Sequence, residues 1–269
     1  PLLKAFDTAI TTHKHYNSNI ILTALANIGD QRSIRLFIQY ITDRFNYGPN
    51  YSVVNGLIKI GSTAVLPLLE VLEKGNINDR CNAVWVLGRI KDKSVVNPLH
   101  KLLNNENSKL KASAIDALGV IGDSTSFSPI LVALQDDDYD VLMATVVALK
   151  TYKDRRAVEP LLNKLRSNKW GKKFSGRRWQ IEEVIIKTLF TVIGEEAVQP
   201  TVEALYRNHP GIQHWAAQAL AEFGSEEAIE ALIKAIGDDN LVVSSAAIWA
   251  LKDKRDSRTI EPLIKALFT

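Results

Sequence analysis

The 269-residue sequence predicts an all-α solenoid of about eight two-helix repeats, forming one repeat domain over residues 1–269. The first observation behind this is a recurring phrase: Ala-Leu-Ala-Asn-Ile-Gly-Asp at 24–30, Ala-Leu-Gly-Val-Ile-Gly-Asp at 117–123 and Ala-Leu-Ala-Glu-Phe-Gly-Ser at 219–225. Its leucine recurs as Leu25, Leu57, Leu87, Leu118, Leu149, Leu189, Leu220 and Leu251, with gaps of 32, 30, 31, 31, 40, 31 and 31 residues. The second is a proline ten or eleven residues after most of these leucines, at Pro67, Pro98, Pro129, Pro160, Pro200 and Pro262, with Leu36 and Ala231 standing in its place elsewhere. The third is a glycine just after the phrase, at Gly29, Gly61, Gly122, Gly194 and Gly224.

Each observation assigns an element. In the longer helix, positions four and three before the leucine and three after it share one face of a 3.6-residue turn. They are mostly Ala, Val and Ile, as in Ala114, Ile115 and Ile121. The residue just before the leucine is often small (Ala24, Gly56, Ala117, Ala148, Ala219, Ala250), which lets neighbouring helices approach closely. The glycine closes this helix in a left-handed conformation. The proline then falls in the first turn of a shorter helix, where a missing N–H costs nothing. One such unit cannot bury its apolar face, whereas a stack of eight can. In the sixth repeat Phe190 serves as the marker nearly as well as Leu189.

Composition bounds the function. Hydrophobic residues make up 46% of the chain, enough for a sizeable core, and no run approaches the 18 apolar residues of a membrane span. Residues 1–12 lack the basic start and apolar middle of a signal peptide. The single cysteine, Cys81, forms no internal disulfide and no metal cluster, which suits a reducing compartment such as the cytoplasm. A net charge of +3 lacks the excess of a dedicated nucleic-acid binder. Phosphate-loop, zinc-helix, paired-cysteine and nucleophile-elbow motifs are absent, so no catalytic residue, metal or cofactor is expected. The proline-bearing phrase opens the chain at Pro1 and closes it at Pro262–Phe268. Solenoid ends need a polar cap, so further helices, a partner or end-to-end self-association is expected there.

The 40-residue gap marks an insertion at about 167–179. Residues 163–179 carry seven basic side chains, among them Lys172, Lys173, Arg177 and Arg178, together with Trp170, Phe174 and Trp179, and no acid. Insertions in repeat arrays map to loops that often carry function. This one reads either as a clamp for an acidic partner or as a solubilising loop whose tryptophans tuck into the repeat junction.

The repeats resemble the HEAT family, and more narrowly the short HEAT-like repeats of phycobilin lyases. Ala83-Val-Trp-Val-Leu-Gly-Arg-Ile90 looks like the Trp-containing repeat of the lyase E-type subunit, and the order of elements over Gln180–Gly224 is similar to a stretch of it. In that family the longer helix lines a concave groove. Trp85 and Trp249, two residues before their leucines, Trp215, five before, and Arg89, two after, then face the groove. Asp116 lies one repeat along from Trp85, and Tyr51, Cys81 and His214 lie one residue further round. The expected function is a non-catalytic protein-binding scaffold or chaperone. The lyase resemblance implies instead a protein that holds an open-chain tetrapyrrole and attaches it to a cysteine of a phycobiliprotein, with aromatic walls stacking the bilin, cations pairing its carboxylates and Asp116 assisting protonation. A third reading is nucleic-acid binding, against which the near-neutral charge argues.

Overall fold

The computed structural model describes residues 15–43, 51–167, 177–207 and 210–268. The chain divides into two compact units, residues 1–130 and 131–269. In the first, a longer helix alternates with a shorter one: α1 (His15–Ile28), α2 (Ile34–Asp43), α3 (Tyr51–Ile60), α4 (Val65–Lys74), α5 (Ile77–Ile90), α6 (Val96–Leu102), α7 (Ser108–Ile121) and α8 (Phe127–Val132), which spans the division. In the second, α9 (Tyr139–Tyr152), α10 (Val158–Arg166), α11 (Arg178–Ile193), α12 (Val198–Leu205), α13 (Pro210–Phe223), α14 (Glu226–Ile236), α15 (Leu241–Leu251) and α16 (Ile260–Ala266) continue the alternation. These are the eight pairs of an α-solenoid. Within each unit a longer helix packs on the next longer helix, and each shorter helix on the longer one that follows it.

The leucine register holds. Leu57, Leu87, Leu118, Leu149, Leu189, Leu220 and Leu251 are all buried. In the first repeat Leu25 is only half-buried and Ala24 is exposed, while Leu22 and Ala26 take the core positions. The cause lies in how longer helices meet. The residue just after one leucine faces the residue just before the next: a Cβ on Gly56 would come within 2.9 Å of the Ala26 Cα, and one on Gly88 within 2.8 Å of the Ala117 Cα. Ala24 has no preceding helix to meet among the described residues, so it stays in solvent.

Every expected proline is the third residue of its short helix, inside the first turn. The five terminating glycines all have positive φ, from 56 to 73°. In the other three repeats Lys91, Lys153 and Arg255 take the same left-handed position at φ 59, 51 and 52°. Gly194 departs slightly. Its N–H bonds to the Phe190 carbonyl, whereas Gly29, Lys91, Gly122 and Gly224 bond back to the marker leucine itself. Burial therefore follows Leu189 while the helix end follows Phe190, which stacks on Phe223 at 4.6 Å; α11 holds one extra residue.

After the left-handed residue comes an aspartate in five repeats, a role the sequence pattern displays but which the periodicity argument overlooks. Asp30, Asp92, Asp123, Asp154 and Asp256 each accept a hydrogen bond from the backbone N–H two residues on, at 2.8–3.0 Å, capping the 3₁₀ turn that leads into the short helix. Asp30, Asp154 and Asp256 also fork onto the arginine two residues on. All five carboxyls are held below their ordinary range, Asp30 at about 2, chiefly by side-chain donors: Arg32 for Asp30, Ser62 for Asp92, Thr125 for Asp123, Arg156 for Asp154 and Arg258 for Asp256. A carboxyl depressed in the native state stabilises fully above its unfolded value of 3.8 and loses that contribution as pH falls through the native value. The urea midpoint is therefore expected to drop between about pH 4 and pH 2. An Asp123→Asn/Asp154→Asn variant should show a shallower drop in the same titration, and parallel profiles would contradict the role given to these caps.

The stretch Tyr51–Lys74 has a mean hydropathy of 1.5 over its most apolar window. It is nevertheless two helices of ten residues, α3 and α4, separated at Gly61 with φ +73°. At 1.5 Å per residue each is about 15 Å long, half the roughly 30 Å of a bilayer's hydrocarbon layer.

Candidate functional site

In the first unit the seam between α3 and α5 is where the small-residue rule fails. The residues that meet the rule elsewhere are here Ile58 and Val86, two large side chains, and α3 and α5 are less closely apposed than α1 and α3 or α5 and α7. A depression of about 510 Å³ opens beside this seam, lined by Tyr51, Asn55, Ile58, Cys81, Asn82, Trp85 and Arg89 together with Val54 and Ser113. Tyr51, Trp85 and Arg89, expected on one face, do share it. Tyr51 is 67% exposed and Cys81 is buried in the wall as a free thiol. Asn82 is fixed by donating through Nδ2 to the Ile41 carbonyl at 3.0 Å.

Trp85 and Arg89 lie one helical turn apart, so the guanidinium folds back over the indole. The Arg89 Cζ stands 3.7 Å from the ring centroid and Nη1 donates to the Trp85 carbonyl at 3.3 Å. Stacking of this kind holds a cation flat at an aromatic surface. Asp116 sits half-buried on α7 and forms no described ion pair with Arg89.

In the second unit the end of the expected insertion is helical. Trp170, Lys172 and Lys173 lie outside the described residues. Arg177 forms a turn, and Arg178 and Trp179 belong to the first turn of α11 rather than to a loop, a correction with a clear physical cause. Arg178 Nε reaches one turn along to Glu182 Oε1 at 2.8 Å, and Trp179 stacks on Trp215 of α13, their rings 5.8 Å apart and 5° from parallel. These interactions draw the chain into the helix. Arg177 lies over the Tyr139 ring at 5.5 Å, and the Tyr139 hydroxyl donates to Gln180 Oε1 at 2.6 Å. Burial pushes the Tyr139 hydroxyl upward in pKa. Lys187 Nζ, paired with Glu183 at 2.8 Å, sits 5.4 Å from the Trp215 centroid. His214 is exposed and meets Trp215 edge-on at 5.8 Å.

Glu182 is a residue the sequence pattern did not single out as a site. Its side chain is fully buried, paired with Arg178 and 3.8 Å from Arg207 Nη1, and its Oε2 has no hydrogen-bond partner. Arg207 in turn donates to the Leu165 carbonyl, and Arg178 Nη2 to the Ser167 carbonyl at 3.4 Å. One buried carboxylate thus orders two arginines that hold the last carbonyls before the insertion. Burial lowers the Arg207 pKa, with Glu182 opposing the shift.

Trp249 on α15 is 59% exposed, with Lys252 Nζ 3.9 Å from its ring centroid. Among the described residues no group of three or more His, Cys, Asp or Glu is placed to hold a metal ion. The arrangement offers planar apolar surface topped by cations.

The HEAT-repeat pattern matches residues 65–150, 103–171 and 198–268, together more than half of the chain. No curated protein matches the sequence. Among solved structures, the complex of CpcE and CpcF of phycocyanin lyase from Nostoc sp. is 16% identical, covering 89% of this chain and 95% of that one with a TM-score of 0.45. Human deoxyhypusine hydroxylase in complex with glycerol is also 16% identical, covering 88% and 95% with a TM-score of 0.36. A designed armadillo repeat protein in complex with the peptide (KR)4 is 17% identical, covering 92% and 97% with a TM-score of 0.33.

Proposed function

Because this chain belongs to the HEAT-repeat family, we propose that it is a non-catalytic scaffold or chaperone that holds a protein partner on the exposed faces of its longer helices. The observation that carries this reading is that Trp85, Trp215 and Trp249, half-buried or exposed on three longer helices, each have a cation at the ring, from Arg89, Lys187 and Lys252. An indole so placed offers a large rigid surface at little entropic cost, which is why tryptophan dominates binding hot spots. Tyr51 and His214 extend the same faces, and Asp116 adds an acid to the first.

The test is capture of partners from an extract of the native cell by the purified chain. Trp85→Ala and Trp249→Ala are each expected to weaken retention about tenfold or more, as truncating a hot-spot aromatic does. The reading fails if both substitutions leave every partner bound. Two other readings are tested alongside. A shifted visible spectrum on mixing with phycocyanobilin would favour the bilin-lyase alternative, with a phycobiliprotein as partner. Binding of mixed-sequence DNA that vanishes steeply with salt would favour nucleic acid.

A further inference from the structure

The depression between α3 and α5 carries more chemical information than an aromatic surface alone. Arg89 is the only charged residue in its wall, and no carboxylate is paired with it among the described residues. Of its five N–H donors, one is used, by the Trp85 carbonyl on its own helix. The guanidinium carbon stands over the indole, 3.7 Å from the centroid, and Nη1 is tied to the Trp85 carbonyl, so its position is set before any ligand arrives. A planar fork of donors in a fixed orientation matches the two oxygens of a carboxylate. Asn55 and Ser113 add neutral polar groups, and Val54 and Ile58 supply an apolar wall. At about 510 Å³ the space admits a single side chain with its flanking backbone or a small molecule, and it is too small for a folded element.

We propose that this depression is the anchoring subsite for an acidic side chain, glutamate or aspartate, of the partner protein, with the carboxylate forked on Arg89 and the methylene stem against Tyr51 and Ile58. The charge complementarity is local. The chain as a whole is close to neutral at +3, yet among the described residues this wall presents one cation and no acid. The subsite rests on the long-helix face being a protein-docking surface, and it adds which chemistry is read there. It also fits the seam: Ile58 and Val86 stand where the two neighbouring seams of this unit place glycine or alanine (Ala26 and Gly56, Gly88 and Ala117), and the depression opens beside Ile58.

The test uses the full chain and three capped nonapeptides on a Gly/Ser background carrying a central Tyr-Glu-Tyr, Tyr-Gln-Tyr or Tyr-Lys-Tyr, with glutarate as the free-acid control. Binding is read by tryptophan fluorescence and confirmed by calorimetry. The glutamate peptide is expected to bind at least tenfold more tightly than the glutamine peptide, with affinity falling as salt rises. Arg89→Met should remove that preference. Arg89→Lys should retain only part of it, because an ammonium cannot reproduce the stacked fork. Circular dichroism of both variants reports whether either has lost its fold, and Arg89→Lys keeps the question answerable if Arg89→Met has. Equal binding of the glutamate and glutamine peptides, no measurable binding of the glutamate peptide, or an undiminished preference in Arg89→Met would overturn the proposal. Glutarate binding as tightly as the peptide would overturn the protein-partner assignment in favour of a small acid. Loss of partner capture in Trp85→Ala with none in Arg89→Met would leave the docking face standing and remove the carboxylate subsite alone.

Discussion

Glu182→Leu is expected to destabilise the second unit by about 3 kcal/mol, the lower end of what breaking a buried ion pair costs. The substitution removes the one carboxylate between Arg178 and Arg207 and leaves two guanidinium groups facing apolar surroundings. The lower end applies because both arginine side chains keep partial access to water, at 23% and 22% exposure. Removing a cation along with the acid should restore part of the loss, so Glu182→Leu/Arg178→Met should be more stable than the sum of the two single changes. Urea unfolding followed by tryptophan fluorescence is the appropriate measurement, since Trp179 and Trp215 stack beside this cluster. Additive effects of the two substitutions would show that Glu182 does not act through Arg178.

The next largest effect is expected at Gly88. A Cβ there would meet the Cα and Cβ of Ala117 at 2.8 Å, both on or next to the backbone of α7, which cannot swing aside as a long side chain would. Gly88→Val should force α5 and α7 apart and cost about 2–3 kcal/mol, as overpacking a close seam does. Gly88→Ala should cost less, since alanine recovers roughly 1 kcal/mol of helix propensity. A lowered urea midpoint for Gly88→Ala as well as Gly88→Val is the signature of crowding, because helix propensity alone would make alanine roughly 1 kcal/mol more stable than glycine there.

Both residues show where the sequence was legible and where it was not. The repeat period, the buried leucines, the proline positions and the glycine terminators all express one-dimensional periodicity, and the structure places them as expected apart from Leu25, which is only half-buried. Lys91, Lys153 and Arg255 escaped because their side chains do not signal a positive φ; their place before an aspartate does, as in Gly29-Asp30 and Gly122-Asp123. Gly88 was passed over because the small residue in that repeat lies after the leucine instead of before it, and only the contact with Ala117 shows that the two positions face each other across a seam.

Glu182 escaped for a related reason. It lies seven residues before Leu189, two turns along the same face, and so points inward despite its charge. The same register holds Gln213, which is buried, and Ser244, whose Oγ donates to the Ile236 carbonyl at 2.6 Å. A polar residue recurring at that offset is the signal that would have found it. The candidate docking residues rest on register alone, since helical phase separates outward from inward positions, although Cys81, one residue further round, is buried. Their partners were not: the Arg89 stack on Trp85 and the Trp179 stack on Trp215 depend on side-chain rotamers and on where α11 begins.

The claim that the longer helices present the docking face is tested most directly by placing a photo-crosslinking amino acid at single exposed positions. Tyr51 and Trp249 report on longer helices, and Leu66 and Val132, 73% and 72% exposed, on shorter ones. With irradiation in an extract of the native cell, a discrete adduct is predicted from positions 51 and 249 and none above background from positions 66 and 132. Adducts of equal or greater yield from the short-helix positions would contradict the account.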